Sequence, residues 1–260
     1  MILLTNDDGI NSVGLWAAYD ALSPIADVRV VAPASQQSAV GRSISIFEPI
    51  RANEITVRGK QAFAVAGKPT DAVIIALFAL KLTPALVVSG INIGENLSFE
   101  SIMTSGTVGA ALEASNHGYP GVAFSLQVED QGDKFDNPQF SGHSFDEAKV
   151  VVRDICDKLL SRGYPENTDV LNVNIPSRVR GGYEVTRLAE KLFHTCVEKR
   201  FDPRGRPYYW IDGALYEDAE EATDVHAVRK GNVSVTPITL DCTAYQAWDE
   251  IELVFADRDQ

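Results

Sequence analysis

The sequence predicts an α/β fold built on a doubly wound, mostly parallel β-sheet. Two observations lead to this fold class. Short runs of consecutive apolar residues, such as residues 2–5 and 86–89, are typical of strands that are buried on both faces. Segments with a helical spacing of apolar residues alternate with these runs along the chain. Strands and helices that alternate in this way form a parallel sheet with helices on both of its faces.

In the first half of the chain the predicted strands and helices follow one another closely. Residues 2–5 predict a buried strand, and residues 14–22 predict a helix that ends before Ser23-Pro24. The segments that follow are a strand over 28–32, a polar loop over 33–43, β segments over 44–47, 55–57 and 62–65, a helix over 72–80, a strand over 86–89, a long Gly/Asn/Ser-rich stretch over 90–104, a helix over 105–115 and a strand over 122–126. Together they place an α/β core at about residues 1–130.

The second half, residues 131–260, is expected to complete the α/β core and to add an antiparallel β extension or arm. A polar loop over 127–141 precedes a predicted helix over 145–160 and a predicted strand over 171–175. Further β segments are predicted over 183–188, 207–211 and 233–236, with a hairpin or arm near 200–216.

Charge and hydropathy exclude several kinds of partner. The 260 residues carry a formal net charge of −13, so the chain as a whole repels a nucleic-acid backbone and an anionic membrane surface. The longest uninterrupted apolar segment, residues 72–80, is far shorter than the roughly 20 residues that span a bilayer. We therefore expect neither a nucleic-acid polymer nor a membrane as partner. A small phosphate substrate remains compatible with this charge, because a bound cation supplies positive charge locally.

The cysteines and the N-terminus indicate a cytoplasmic protein. Cys156, Cys196 and Cys242 are far apart and form no C-x-x-C pattern, which predicts reduced and mostly buried thiols rather than disulfides or a zinc site. The first apolar run is too short, and too soon followed by acidic residues, to form the core of a signal peptide.

Polar clusters follow the predicted strands at the end of the sheet where α/β proteins bind their ligands. There are four of them: Asn6-Asp7-Asp8-Gly9, residues 35–43, residues 89–96, and Ser105-Gly106-Thr107 at a predicted helix start. Because the carboxyl ends of parallel strands share one edge of the sheet, the four clusters are expected to converge there.

The adjacent carboxylates Asp7 and Asp8 are candidates for a metal site. Carboxylate, hydroxyl and amide oxygens suit Mg²⁺ or Mn²⁺ better than zinc or copper. Gly9 lets the chain bend closely around such an ion. The alternative interpretation is an Asp-Asp-Gly turn that merely ends the strand.

The predicted helix start at Ser105-Gly106-Thr107 is a candidate phosphate site, because free N–H groups at a helix N-terminus bind anions. The alternative is that Ser105 or Thr107 only caps the helix. Asn92 and Asn96 have a comparable alternative as turn residues, and Ser38 as an ordinary loop serine.

Other phosphate-handling and hydrolytic motifs are absent from the sequence. It contains no G-x-x-x-x-G-K-[ST], no G-x-G-x-x-G after the first predicted strand and no G-x-S-x-G. The histidines, none of which falls in a polar cluster, are expected to be structural or exposed; they are His117, His143, His194 and His226. These absences disfavour P-loop ATPases, dinucleotide-binding enzymes and serine hydrolases.

Six sequence blocks resemble the signature blocks of the SurE family of survival-protein nucleotidases. They occur in the family order: Thr5-Asn6-Asp7-Asp8-Gly9, Ser38-Ala39-Val40-Gly41, residues 67–73 (GKPTDAV), Ser89-Gly90-Ile91-Asn92 with Gly94 and Asn96, Ser105-Gly106-Thr107-Val108, and residues 233–237 (VSVTP). The resemblance therefore runs from residue 2 to about residue 245.

The resemblance implies a metal-dependent phosphatase that acts on nucleoside 5′-monophosphates, and in some members on 3′-monophosphates or short polyphosphate. It implies one Mg²⁺ or Mn²⁺ per subunit, with ligands at Asp7, Asp8, Ser38 and Asn92. Asn96, Ser105, Gly106 and Thr107 match positions near the phosphate, and Asp7 and Asp8 are the catalytic candidates.

The family fold implied by the resemblance is a Rossmann-like core with a C-terminal β region that makes dimer and tetramer contacts. A homodimer or homotetramer is therefore expected, with residues 131–260 carrying the oligomerisation segment of a single catalytic unit. Two questions stay open at this point. Asp8 is a nucleophile, a general base or only a metal ligand, and a non-catalytic metal- and nucleotide-binding signalling module is the alternative function.

Overall fold

A nine-stranded sheet forms the centre of the protein in the computed structural model, which describes residues 1–128, 145–216 and 218–256. Its strands are β1 (Ile2–Thr5), β2 (Val28–Pro33), β3 (Arg51–Val57), β4 (Lys60–Ala66), β5 (Leu86–Ile93), β6 (Gly121–Leu126), β7 (Val170–Ile175), β8 (Tyr183–Val185) and β11 (Val233–Ile238). Strands β9 (Phe193–Phe201) and β10 (Pro207–Leu215) pair with each other in a separate hairpin.

The sheet is mostly parallel, as predicted, with the strand order β3-β4-β2-β1-β5-β6-β7-β11-β8. Six neighbouring strands, from β4 to β7 in that order, are parallel, whereas β3 and β11 each pair antiparallel with their inner neighbour. Strand β1 lies between β2 and β5. From β1 the chain first adds β2, β3 and β4 on one side of the sheet, and it then returns to add β5 and the later strands on the other side of β1. This arrangement makes the carboxyl ends of β1 and β5 a topological switch point, where open α/β sheets bind ligands.

Helices cover both faces of the sheet. They are α1 (Val13–Leu22), α2 (Pro69–Ile74, continued by a π-helical turn at Ile75–Ala79), α3 (Ser98–Thr104), α4 (Gly106–Asn116), α5 (Asp146–Arg162), α6 (Asp224–Arg229) and α7 (Trp248–Phe255). Side chains of β1 alternate between two cores: Ile2 and Leu4 pack with α1 and α5, and Leu3 packs with α2 and α4. This two-sided burial explains why β1 is uniformly apolar in sequence.

The β9–β10 hairpin and α7 lie outside these cores. Phe193 pairs with Leu215 at the base of the hairpin, and most of its other side chains are exposed. Helix α7, which the sequence patterns did not predict, buries none of its side chains. In the described parts of the chain, no helix combines the length and apolar character needed to cross a membrane.

Two of the predicted segments differ from the structure. The strand predicted over 86–89 continues to Ile93 and α3 begins at Ser98, with residues 94–97 between them, because Asn92 and Ile93 keep pairing with β6 after an irregularity in register. Burial of this pairing overrides the turn preference of Gly and Asn. Residues 44–47 form no strand, since the amide of Ser45 donates to the Asp71 carboxylate at 2.9 Å instead of joining the sheet.

The prediction of mostly buried cysteines was also wrong. All three thiols are free, but only Cys156 is buried. Cys196 lies on the β9–β10 hairpin and Cys242 follows β11, and both are exposed because these segments extend beyond the cores. The predicted loop over 127–141 and His143 lie largely outside the described residues.

Candidate metal and phosphate site

Six of the eight predicted site residues line one cavity of about 200 Å³ at the switch point of the sheet. They are Asp7, Asp8, Ser38, Asn92, Asn96 and Ser105. The other two, Gly106 and Thr107, begin α4 and lie against Asp7. The structure thus brings together the clusters that the sequence places about 100 positions apart.

A turn held by Asn6 presents the two aspartates to the cavity. The Asn6 amide nitrogen donates to the Gly9 carbonyl at 3.1 Å, and the Gly9 amide donates to the Asn6 side-chain oxygen at 3.2 Å. Gly9 has φ +94°, a conformation that favours glycine. Asn6 supplies the turn's side-chain hydrogen bonds, so the turn itself does not consume the carboxylates of Asp7 and Asp8.

The loop after β2 is tied to the same turn. The amide of Gln37 donates to the Asp7 carbonyl at 2.7 Å, which brings the exposed Ser38 to the rim of the cavity. A Cβ atom on Gly9 would lie 3.0 Å from the Ser35 carbonyl carbon. The close approach of these two loops therefore depends on a glycine at position 9.

Helix α4 begins directly on the Asp7 carboxylate. The amide of Thr107 donates to Asp7 Oδ2 at 3.1 Å, and its hydroxyl donates to Oδ1 at 2.5 Å. Burial raises the pKa of Asp7, while the hydrogen bonds from Thr107 and Gly106 act in the lowering direction. The positive end of the helix and these donors stabilise the carboxylate in a buried place.

Asp8 and Asn92 meet across the cavity from neighbouring strand ends. Asp8 Oδ2 accepts a hydrogen bond from the Ile93 amide at 3.2 Å. The Asn92 amide nitrogen donates to the Gly94 carbonyl at 2.7 Å. This bond commits the nitrogen end of the Asn92 side chain, and its oxygen is the end that is able to ligate a cation.

Ser105 is the N-cap residue of α4, which was one of the two alternatives that the sequence offered for this motif. Its hydroxyl accepts a hydrogen bond from the Val108 amide at 3.1 Å. Thr107 is not the cap, because its hydroxyl is used by Asp7. The capping role does not remove Ser105 from the site, since the residue also lines the cavity.

Three buried polar residues that the sequence analysis missed hold Asn96 in place. The side-chain nitrogen of Asn96 donates to Ser125 Oγ at 2.8 Å. Its backbone carbonyl accepts from the side-chain nitrogens of Asn172, at 2.8 Å, and of Asn174, at 3.0 Å. Asn174 Oδ1 also accepts a hydrogen bond from the backbone N–H of Asn96 at 2.8 Å. The available signal was two alternating asparagines in an otherwise apolar run, residues 171–175, because buried amides need partners.

The walls of the cavity are acidic. Asp7 and Asp8 are joined there by Glu95, which sequence reasoning had not singled out, and no Lys, Arg or His is among the described residues that line it. A phosphate dianion is repelled by such a site unless a cation accompanies it. The described residues contain no group of three or more His, Cys, Asp and Glu arranged to hold a metal, so hydroxyl and amide oxygens must complete the donor set. That donor chemistry fits a hard divalent cation.

Fold and site together define a class: doubly wound α/β proteins with an acidic, oxygen-lined site at the switch point of the sheet. Comparison with known proteins identifies the family within this class. Residues 2–195 match the family model described as survival protein SurE. The chain belongs to the SurE family.

Individual relatives cover the chain almost completely. It is 74% identical to a 5′-nucleotidase SurE of Methanoculleus marisnigri over 98% of this chain and 97% of that protein. It is also 74% identical to a 5′-nucleotidase SurE of Methanoregula boonei, over 98% of each chain. The crystal structure of the SurE protein from Aquifex aeolicus superposes with a TM-score of 0.81 at 38% identity, over 97% of this chain and 98% of that chain.

Proposed function

We propose that this protein is a metal-dependent phosphomonoesterase that hydrolyses nucleoside 5′-monophosphates to nucleoside and phosphate. The observation that carries the proposal is the convergence of Asp7, Asp8, Ser38 and Asn92 on one acidic cavity. The names of the relatives with 74% identity, both 5′-nucleotidases, support the substrate class. Nucleoside 3′-monophosphates and short polyphosphate are further candidate substrates from the resemblance to the family.

Asp7, Asp8, Ser38 and Asn92 would hold one divalent cation per subunit, Mg²⁺ or Mn²⁺. When bound, the cation supplies the positive charge that these acidic walls lack and polarises a phosphoryl oxygen. Thr107 and the start of α4 fix the orientation of the Asp7 carboxylate, since both of its oxygens accept hydrogen bonds from Thr107.

The protein's own groups complete the site around the phosphate. We assign Asn96 and the α4 start, Ser105, Gly106 and Thr107, to the phosphate end, because a helix N-terminus carries partial positive charge. Asp8 is half-buried at the cavity and is assigned the second catalytic carboxylate. Its role is that of nucleophile, general base or ligand alone, and ¹⁸O transfer from labelled carboxylate into released phosphate distinguishes the nucleophile from the other two.

The proposal predicts that hydrolysis of AMP and of an aryl phosphate requires a divalent cation. A chelator should abolish phosphate release, because three carboxylates and no basic side chain line the described cavity. Added Mg²⁺ or Mn²⁺ should restore it. Phosphate release that persists after exhaustive chelation would overturn the metal assignment. Binding of metal and nucleotide without any turnover would favour the non-catalytic signalling module instead.

We further propose that the chain is one catalytic unit that acts in the cytoplasm as a homodimer or homotetramer. Strands from both halves of the chain complete the sheet, which supports the single unit. The free thiols support a reducing compartment. Apolar side chains that are exposed on the hairpin and on α7 support self-association. They include Val197, Phe201, Tyr209, Trp210 and Ile211 on the hairpin, and Trp248, Leu253 and Phe255 on α7.

Ile211→Asp is expected to shift the protein to a smaller assembly. Ile211 is 81% exposed on β10, so a charge there costs little in the isolated subunit but opposes burial in an interface. Light scattering coupled to size-exclusion chromatography measures the mass. Val185→Asp is the matched control, because Val185 is 77% exposed on β8, which belongs to the central sheet and not to the hairpin. Equal masses for the two variants would contradict the role of the hairpin.

A further inference from the structure

Ser38 differs from the other proposed ligands in how the fold positions it. Asp7 and Asp8 directly follow β1 and Asn92 belongs to β5, so the sheet itself places these three residues. Ser38 is exposed and lies on the loop that joins β2 to β3, residues 34–50, which we call the Ser38 loop. The position of Ser38 therefore depends on the contacts that this loop makes with the rest of the protein.

The loop segment after Ser38 packs against the junction of α3 and α4. The amide of Gly41 donates to the Thr104 carbonyl at 2.8 Å. A Cβ atom on Gly41 would lie 2.8 Å from the Met103 carbonyl oxygen, and one on Gly109 would lie 2.5 Å from the Gly41 carbonyl oxygen. The backbone of the loop thus approaches α4 more closely than a side chain at either glycine would allow.

Beside this backbone contact, an ion pair joins the loop to α4. Arg42 Nε donates to Glu113 Oε2 at 2.7 Å, and the Glu113 side chain is only 6% exposed. His117 Nε2 lies 2.9 Å from the other oxygen of this carboxylate. Water and salt screen such a pair less than they screen an exposed one, so it is a firmer anchor than a surface ion pair.

The ion pair lies outside the acidic cavity but is connected to it through α4 and the loop. Neither Arg42 nor Glu113 is among the described residues that line the cavity. Glu113 is on the helix that begins at the Asp7 carboxylate. Ala39, next to Ser38, has φ +57°, a conformation that alanine keeps only where its surroundings hold it. An effect of the ion pair on the site must therefore act through the position of the loop.

We propose that Arg42 is a positioning residue: paired with Glu113, it holds the Ser38 loop so that Ser38 is presented to the acidic cavity. This inference rests on the proposed function for the role of Ser38 as a ligand. It makes the affinity of the cavity for a divalent cation depend on a contact outside the cavity. Without the pair, fewer molecules have the loop in the binding conformation, and the apparent Kd for the cation rises in inverse proportion to that fraction.

Arg42→Met tests the proposal on the full-length protein. The Arg42 side chain is 37% exposed and His117 remains a partner of Glu113, so the variant is expected to fold. In a calorimetric titration with Mn²⁺ alone, its affinity should be about tenfold lower than that of the unmodified protein. Hydrogen exchange at the Gly41 amide should be faster. The kcat for AMP at saturating Mn²⁺ should stay within about twofold, because the variant loses cation binding and not the chemical step.

Two further variants separate positioning from a general effect on folding. Glu113→Gln breaks the same pair from α4, and combining it with Arg42→Met should weaken Mn²⁺ binding no further than the weaker single variant, because both residues act through one contact. Arg29→Met is the matched control, since Arg29 pairs with Asp27 at 3.3 Å near the start of β2, at the opposite end of that strand from the loop. It should leave Mn²⁺ affinity and Gly41 exchange unchanged.

Unaltered Mn²⁺ affinity in Arg42→Met would overturn the positioning role, whether or not exchange at Gly41 becomes faster. An equal loss of affinity in Arg29→Met would also overturn it, and so would a failure of the unmodified protein to bind Mn²⁺. Weaker Mn²⁺ binding in Arg42→Met, without phosphate release from AMP or an aryl phosphate by the unmodified protein, would support the positioning role and reject the proposed function.

Discussion

Replacing Asp8 by asparagine is expected to lower kcat/KM for AMP about 10³-fold, because charge stabilisation at a metal-assisted phosphate site contributes several kcal/mol. Asn keeps an oxygen able to accept from the Ile93 amide, which Asp8 accepts at 3.2 Å, so the local fold has a substitute partner. The carboxylate charge is what the substitution removes. Asp8 is a cleaner target than Asp7, whose two oxygens both accept hydrogen bonds from Thr107.

The measurement combines steady-state kinetics with Mn²⁺ titration and thermal unfolding. Asp20→Asn serves as the control, since Asp20 is an exposed carboxylate on α1 and its replacement by Asn removes the same formal charge. It should retain full activity. If Asp8→Asn kept more than about a tenth of the activity, a difference of only 1.4 kcal/mol, the assignment of Asp8 to the reacting site would be wrong.

Replacing Gly106 by alanine is expected to lower kcat about 10²-fold, the order of loss that a shift of about 1 Å in a positioning group causes. A Cβ atom at this position would lie 2.8 Å from Asp7 Cβ and 2.9 Å from Asp7 Oδ2. Asp7 or the start of α4 must therefore move, and both belong to the proposed site. Alanine is otherwise the better residue within a helix, so helix propensity acts against a loss of stability.

Gly182→Ala is the matched control, because a Cβ atom there meets nothing within 4 Å. Kinetics and thermal unfolding of both variants separate an effect on the site from an effect on folding. Full activity of Gly106→Ala would show that the contact between α4 and Asp7 does not position the carboxylate for the reaction.

Local patterns predicted most of the sheet because its strands are buried on both faces. The apolar run at residues 2–5 is a strand in the structure with the predicted bounds, and the small-residue helix predicted over 105–115 is α4, Gly106–Asn116. The patterns failed at residues 90–104. There the chain continues β5 through glycine and asparagine, residue types that local preference assigns to turns, and only pairing with β6 explains the strand.

The candidate site divides in the same way. The acidic pair and the serine and asparagine clusters were identifiable because polar residues directly after apolar strands mark the ligand-binding edge of an α/β sheet. Their partners were not. Asn172 and Asn174 lie on β7, more than 70 positions from Asn96. Glu95 lies within the polar cluster at residues 89–96, but nothing in that pattern distinguished its carboxylate from the other polar residues there.

The sequence by itself determined the fold class, the family blocks and the polar clusters at the strand ends, because these depend on residue type and on short spacings along the chain. Only the tertiary structure decided how these groups act on one another. It placed the start of α4 against Asp7 and directed the side-chain nitrogen of Asn92 to the Gly94 carbonyl. The physical reason is that hydrogen bonds and burial between residues distant in sequence depend on the packing of whole strands and helices, which no local pattern encodes.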